Sequence, residues 1–456
     1  MRVLTAVSLL LLAGTALCRP VAAETIEDAL AATYLYNPTL LAQRAQLRQN
    51  DESVSQAVAG WRPTVQIIGN GGSAVEGKNT ITGVSNGETE PLTPNLQDVQ
   101  ITQPVYLGGR IESQTLSAEA LVKAGRAQLD STEEQVMLQA ATAFMDVLRD
   151  QAIVGLNKNN EQVLAKQLEA AQDRFRVGEL TRTDVAQSEA ALKGANAARV
   201  QAEGNLIQSR TNFLRVVGKL PEKLTQPTAL PQLPANEADA MAIAFKSNPD
   251  LLTAVYTEDS AQHDIDTAFG ALLPTLSLEG DLIRAEDQQT RELVTRTAQV
   301  LAKVTVPLYQ SGAEYSQVRQ KKDVDSQRKL QIAVTRDQVR QAVTAAWASF
   351  DTATAQIGSF REQVRAAEIA LDGFIQQAQV GTATTLDVLT AEQVRLQAET
   401  SLVTAQHDQY VAAYTVRQTI GDLTAKSLGL QVPLYDPTVH YNAVRNQLIG
   451  TTPSNE

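Results

Sequence analysis

Val380-Gly381-Thr382-Ala383-Thr384-Thr385-Leu386-Asp387-Val388 restates the frame of Val177-Gly178-Glu179-Leu180-Thr181-Arg182-Thr183-Asp184-Val185, 203 residues earlier in the chain. In both, a glycine able to take a left-handed backbone can end one helix. A Thr-x-x-Asp spacing then begins the next as a capping box, the hydroxyl and the carboxylate each satisfying a free backbone N–H. Capping is the plain structural role of these residues. Recurrence at a fixed offset says more, because it marks a chain written twice.

Working outward, the offset of 203 also relates Pro104-Val105-Tyr106 to Pro307-Leu308-Tyr309, Gly109 to Gly312 and Glu189 to Glu392. An offset of 211 relates Asn37-Pro38 to Asn248-Pro249 and Pro63-Thr64-Val65 to Pro274-Thr275-Leu276. The eight-residue change falls between two strands of each half, where a surface loop absorbs it. The repeats divide the chain into a leader at 1–23, a first repeat at 24–235, a second at 236–437 and a polar tail at 438–456. That tail is expected to be disordered.

No proline occurs between Pro104 and Pro221, or between Pro307 and Pro433. Such runs favour long helices. At 1.5 Å per residue, 111–177 would span about 100 Å. Phe350, Ala353, Ile357, Phe360, Val364, Ala367, Leu371, Phe374 and Ala378 alternate steps of three and four, a heptad seam that also fits an ordinary antiparallel coiled coil. The first half keeps part of it in Leu164, Leu168, Ala171 and Phe175. Shorter helices at 38–60, 184–217, 249–269 and 387–420 can stack in pairs alongside the long ones.

Strands are expected near 64–73, 96–106, 275–283 and 297–308. Thr275, Ser277, Glu279 and Asp281 alternate with Leu276, Leu278 and Leu282, and Gln299, Lys303 and Thr305 alternate with Val300, Ala302, Val304 and Val306. In the first half the pattern is weaker: Val65 and Ile67, then Val99, Ile101 and Val105. This period of two fits a tilted membrane strand between lipid and water, and it fits a half-buried soluble strand. Trp61, Tyr106 and Tyr309 lie beside strand ends, where aromatic side chains occupy a membrane interface. Four strands cannot close a barrel, and open edges are not tolerated in lipid. Several chains must therefore share any barrel, in a number the strands do not fix.

Composition narrows the function. Arg2, the apolar run 3–17 and the small residues Val21-Ala22-Ala23 read as a secretory leader cleaved before Glu24. Leu17 argues against lipidation of Cys18, the sole cysteine, so the mature chain has neither disulfide nor Cys-ligated metal. Losing Arg2 and Arg19 moves the formal charge from −12 to −14, which argues against nucleic acid as a partner. No later stretch is apolar for the 18 residues a membrane-spanning helix needs. Gly72-Ser73-Ala74-Val75-Glu76-Gly77-Lys78-Asn79 nearly spells a phosphate loop, but Asn79 replaces the hydroxyl residue and Thr80 starts a loop, not a helix. His263, His407 and His440 lack metal-ligand spacing. No catalytic grouping stands out, so no enzyme activity, cofactor or metal is expected.

The ordered pair of turn motifs, joined by the Asn-Pro and Pro-Thr repeats, resembles the TolC family of outer-membrane efflux and secretion ducts, in its BepC-like branch. The resemblance covers nearly the whole mature chain. It implies a mostly α fold with membrane β: very long α-helical hairpins forming a periplasmic α-barrel, and four strands per chain in a shared twelve-strand outer-membrane β-barrel. It further implies a homotrimer, embedded in outer-membrane lipid and working with a periplasmic adaptor (membrane fusion) protein and an inner-membrane RND or ABC transporter. By the same resemblance both turns lie at the periplasmic tip, with Val177, Gly178, Leu180, Thr181, Val380, Gly381, Thr382 and Thr384 forming the hairpin tips and adaptor contact. Asp387 takes the position of a gate aspartate, with Asp184 in the neighbouring cap. Thr390, Ala383 and Ala378 stand where the family pattern has a second acid, an arginine and a tyrosine, so the closing lock must differ. Arg182 is the candidate replacement, against its ordinary reading as a solvated surface charge. The competing function is a periplasmic coiled-coil scaffold or adaptor without a pore.

Overall fold

A computed structural model describes residues 24–77, 89–288 and 291–452. The leader at 1–23, and Lys78, Asn79 and Thr80 of the phosphate-loop-like stretch, lie outside the described residues. The chain forms two compact units, each drawing on both sequence repeats. Of the described residues, one comprises 24–35, Gln139–Pro231 and Ala353–Val411, and the other the described parts of 36–138, 232–352 and 412–452.

The second unit holds the strands. β1 (Thr64–Gly71), a short hairpin of β2 (Ala74–Gly77) and β3 (Thr89–Leu92), β4 (Asn95–Leu107), β5 (Thr275–Glu286) and β6 (Val294–Thr305) follow in chain order. The main sheet is antiparallel in the order β1-β4-β5-β6. Residues paired directly across strands share a face, so the register tests the alternation. Val65 faces Ile101, Ile101 faces Gly280, Gly280 faces Val300, and one step along Ile67, Val99, Leu282 and Ala298 make the next row. The adjoining row on the opposite face is Gln66, Gln100, Asp281 and Gln299. In these rows all four strands keep one apolar and one polar face in common; one row further along, Gln97, Arg284 and Arg296 fall on the apolar side and Ile68 and Ile283 on the polar side. The apolar face is uncovered: Ile67 is 78% and Val300 81% exposed.

Helices α1 (Ile26–Tyr36) and α2 (Pro38–Val58) precede this sheet, and α5 (Glu237–Ser247) and α6 (Pro249–Gly270) precede β5. Asn37 and Asn248 explain the Asn-Pro repeats. Each caps the helix behind it, Asn37 Oδ1 accepting from Thr39 N at 2.9 Å and Asn248 Oδ1 from Asp250 N at 3.1 Å, with proline at the first helical position. In the second unit Ala240, Ala244, Val339, Val343 and Ile420 form one core cluster, and Val54, Ala118 and Val122 another.

Helix α3 (Arg110–Arg176) and helix α7 (Ala313–Gln379) are 67 residues each, about 100 Å long. Each is followed by a shorter helix, α4 (Arg182–Val217) and α8 (Thr385–Thr419). The long helices differ in burial. α3 buries Met137, Ala140, Ala141, Ala143, Phe144 and Val147 completely, more than one face, which small alanine side chains permit. α7 buries a single stripe: Ala353, Ile357 and Ala367 are buried and the other seam residues half-buried. In the first half Leu164, Leu168 and Ala171 follow the seam, but Phe175 is 44% exposed. It occupies the last turn of α3, and Arg174 takes the half-buried place beside it. Among the described residues no helix is long and apolar enough to cross a membrane.

The tail departs from expectation. Rather than being disordered from 438 onward, it forms helix α9 (Thr438–Val444). His440, 5% exposed, approaches the fully buried Asp51 of α2 at 3.0 Å, and Arg445 pairs with Glu119 at 2.7 Å. These partners lie more than 300 residues away in sequence, so the tail's own polarity does not reveal them.

Candidate functional site

The two turns are built alike. At the end of α3, Glu179 N donates to Arg174 O at 2.9 Å across Gly178, whose φ of +84° requires a glycine-like freedom. At the end of α7, Thr382 N donates to Gln377 O at 2.9 Å across Gly381, at φ +80°. The next helices open on the expected capping boxes. Asp184 Oδ2 accepts from Thr181 N at 2.9 Å and Thr181 Oγ1 at 2.7 Å, while Asp184 N donates back to Thr181 Oγ1 at 3.3 Å. In the second turn Asp387 Oδ2 accepts from Thr384 N at 2.8 Å and from its hydroxyl at 2.7 Å, and Asp387 N returns a bond at 3.2 Å.

Hydrogen bonds to the threonine hydroxyl, then to its backbone N–H, hold both carboxyls below their ordinary range. Both aspartates are therefore anionic at neutral pH. The bonds at Asp387 all use Oδ2, and none within the described residues engages Oδ1. One oxygen caps the helix, and the other makes no hydrogen bond among the described residues.

The other expected residues divide by exposure. Val177 is 72% and Val380 75% exposed, bare apolar side chains at the two turns. Leu180 is half-buried and lines a groove of about 280 Å³ with Ala171, Arg174, Ile375, Ala378 and Val388. Thr382 Oγ1 donates to Gln377 O at 3.1 Å, and the Thr390 hydroxyl bonds back to Leu386 O at 2.8 Å. Arg182 is exposed and makes no ion pair among the described residues. Arg174, which the sequence reading passed over, pairs with Glu179 at 3.1 Å, and its charge also favours the anion at Asp184. Arg395 was passed over as well: it bridges Glu392 at 2.7 Å and Glu399 at 2.5 Å, with Glu392 only 2% exposed. The three-and-four spacing of these charges was the available signal.

Trp61, Tyr106 and Tyr309 fall at one end of the sheet. The antiparallel register places the start of β1, the end of β4, the start of β5 and the end of β6 together there, where the strands join helices. They are 42%, 44% and 80% exposed.

A two-faced antiparallel sheet whose outer strands have no neighbour among the described residues, joined to two 67-residue helices ending in matched capped turns, is the architecture of an outer-membrane efflux channel subunit. The chain belongs to the Outer membrane efflux protein family, whose pattern matches residues 30–219 and 241–422, once in each half. It is 34% identical over 442 residues to "Outer membrane efflux protein BepC" of Brucella suis, covering 96% of this chain and 95% of that one. It is 24% identical over 408 residues to "Outer membrane protein TolC" of Vibrio cholerae, covering 84% and 90%. Its fold is similar to that of the outer membrane protein VceC from Vibrio cholerae, with a TM-score of 0.74 and 16% identity over 87% of this chain and 96% of that one.

Proposed function

We propose that the chain is the exit duct of a tripartite efflux or type I secretion system, a passive outer-membrane channel. Three copies share one twelve-strand barrel, and their helices continue it as a periplasmic tunnel. The observation that carries this reading is the common register, which lines up Val65, Ile101 and Val300, then Ile67, Val99, Leu282 and Ala298, on one uncovered face and Gln66, Gln100, Asp281 and Gln299 on the other. Such a sheet suits lipid outside and water inside, and its unpaired edges at β1 and β6 need sister copies before lipid can tolerate them. Trp61, Tyr106 and Tyr309, gathered at the helix-facing end, anchor the inner membrane–water boundary. A periplasmic adaptor docks at the bare Val177 and Val380 turns and the Leu180 groove, and an RND or ABC transporter in the inner membrane supplies the energy.

In this reading Asp387 and Asp184 ring the tunnel mouth. Their low-pKa carboxylates give the mouth a fixed negative charge that attracts cations. Planar-bilayer recording tests the whole proposal: the detergent-extracted trimer conducts ions, whereas a soluble monomer without conductance belongs to a poreless scaffold. At the mouth, Asp387→Ala weakens block by multivalent cations, and unchanged block leaves Asp387 only its capping role. Arg182 contributes to the closing lock if Arg182→Ala raises conductance and antibiotic leakage. Unaltered leakage removes it, and the Arg174–Glu179 pair is then the next charge to vary.

A further inference from the structure

The polar face of the sheet carries a charge imbalance that strand pairing does not explain. Register gives the charged groups on that face: Asp98 on β4, Glu279 and Asp281 on β5, and Lys303 on β6, with none on β1. Arg284, Glu286 and Arg296 belong to the opposite face. Lys303 Nζ lies 3.1 Å from Glu279 Oε1, which neutralises both. Among the described residues neither Asp98 nor Asp281 has a cationic partner.

Their surroundings sharpen the imbalance. Asp281 is only 7% exposed; its Oδ2 accepts from Gln299 Nε2 at 3.0 Å, and its Oδ1 is enclosed with no donor. Asp98 Oδ1 is likewise enclosed and unpaired. Asp98 pairs with Ile283 and Asp281 with Gln100, so the two acids are diagonal neighbours on adjacent strands, with Cβ atoms about 7 Å apart. Two carboxylates that close repel each other, and an enclosed oxygen without a donor costs free energy until something positive approaches it.

We propose that Asp98 and Asp281 form a carboxylate girdle inside the barrel that selects for cations, hydrated metal ions and the ammonium groups of cationic solutes alike. The inference rests on the channel reading above, since only closure of the barrel turns this face toward a water-filled lumen. Three copies contribute six uncompensated carboxylates at one depth, in series with the aspartates of the tunnel mouth. Because fixed charges on a wide pore wall act only within about a Debye length, roughly 10 Å at 0.1 M and 3 Å at 1 M salt, the selection fades in concentrated salt.

The test is the reversal potential of the full-length channel in a KCl gradient. The double variant Asp98→Asn/Asp281→Asn lowers the potassium-to-chloride permeability ratio at least about threefold near 0.1 M and leaves it nearly unchanged near 1 M. Asp281→Glu, which keeps the charge, retains the wild-type ratio. Lys303→Gln, at an exposed position, frees Glu279 and shifts the ratio the other way, so the proposal stays testable even if the double variant does not insert. An unchanged ratio at low salt, in the double variant or in Lys303→Gln, overturns the girdle while a conducting wild type leaves the channel standing. A wild type that conducts nothing overturns the channel reading itself.

Discussion

Glu133 and Glu134 stand side by side on α3 and turn their carboxylates to the chain after α8. Glu133 Oε1 accepts from Ala425 N at 2.6 Å, and Glu134 Oε1 from Leu423 N at 3.2 Å. Burial pushes Glu134 up to about 9 and Glu133 to about 7; the backbone N–H pulls each back in part, and Asp130 adds to both. A carboxyl raised in the folded state opposes folding when ionised. The penalty is absent below the ordinary value of 4.5 and grows as pH climbs toward the raised one. Thermal melting should therefore show Glu134→Gln, which keeps an acceptor for Leu423, gaining on the wild type between pH 5 and 9. The gain is on the order of a few kcal/mol at the alkaline end. A parallel pair of melting curves across that range would refute the assignment. At the turns, Thr384→Ala removes a cap worth about 1 kcal/mol and should speed amide exchange in the first turn of α8 alone.

At the scale of elements, the heptad stripe of α7 was legible because its side chains repeat along one face, and the structure buries that stripe. Ile357, 5% exposed at its centre, should cost about 2–5 kcal/mol as Ile357→Ala, read as a lowered melting temperature. Gly381→Ala, forced to keep φ near +80°, should cost about 1 kcal/mol and fray the end of α7. Helices α1 and α5 were not foreseen, although Thr25 with Asp28 and Asn236 with Asp239 carry capping spacings. Eleven residues give too few turns for a persuasive periodicity. The exposed Phe175 shows the reverse failure, a periodicity continued past the point where a neighbour exists to cover it.

At the scale of the whole molecule, β1 and β6 have unpaired edges among the described residues, and apolar side chains on one sheet face and at the turns stay bare. In the channel reading proposed above, a chain so exposed is completed by lipid, by sister copies and by partners. Light scattering in detergent should give three times the mass of one mature chain. Withdrawing detergent should cause aggregation, and a stable monomer in plain buffer would contradict the shared barrel.

What the sequence determined by itself was periodic or recurrent. The duplication, the proline-free helices, the capped turns and the two-faced strands are all written in residue spacing, and spacing is set by local backbone geometry. Tertiary structure alone decided which distant residues meet. It put Asp51 against His440, Glu134 against the Leu423 amide, and Asp98 diagonal to Asp281 with no cation of the described residues between them. These juxtapositions depend on strand register and helix packing across hundreds of residues. A buried charge is stabilised or stranded by whatever the fold brings beside it, and that neighbour leaves no trace in the local sequence.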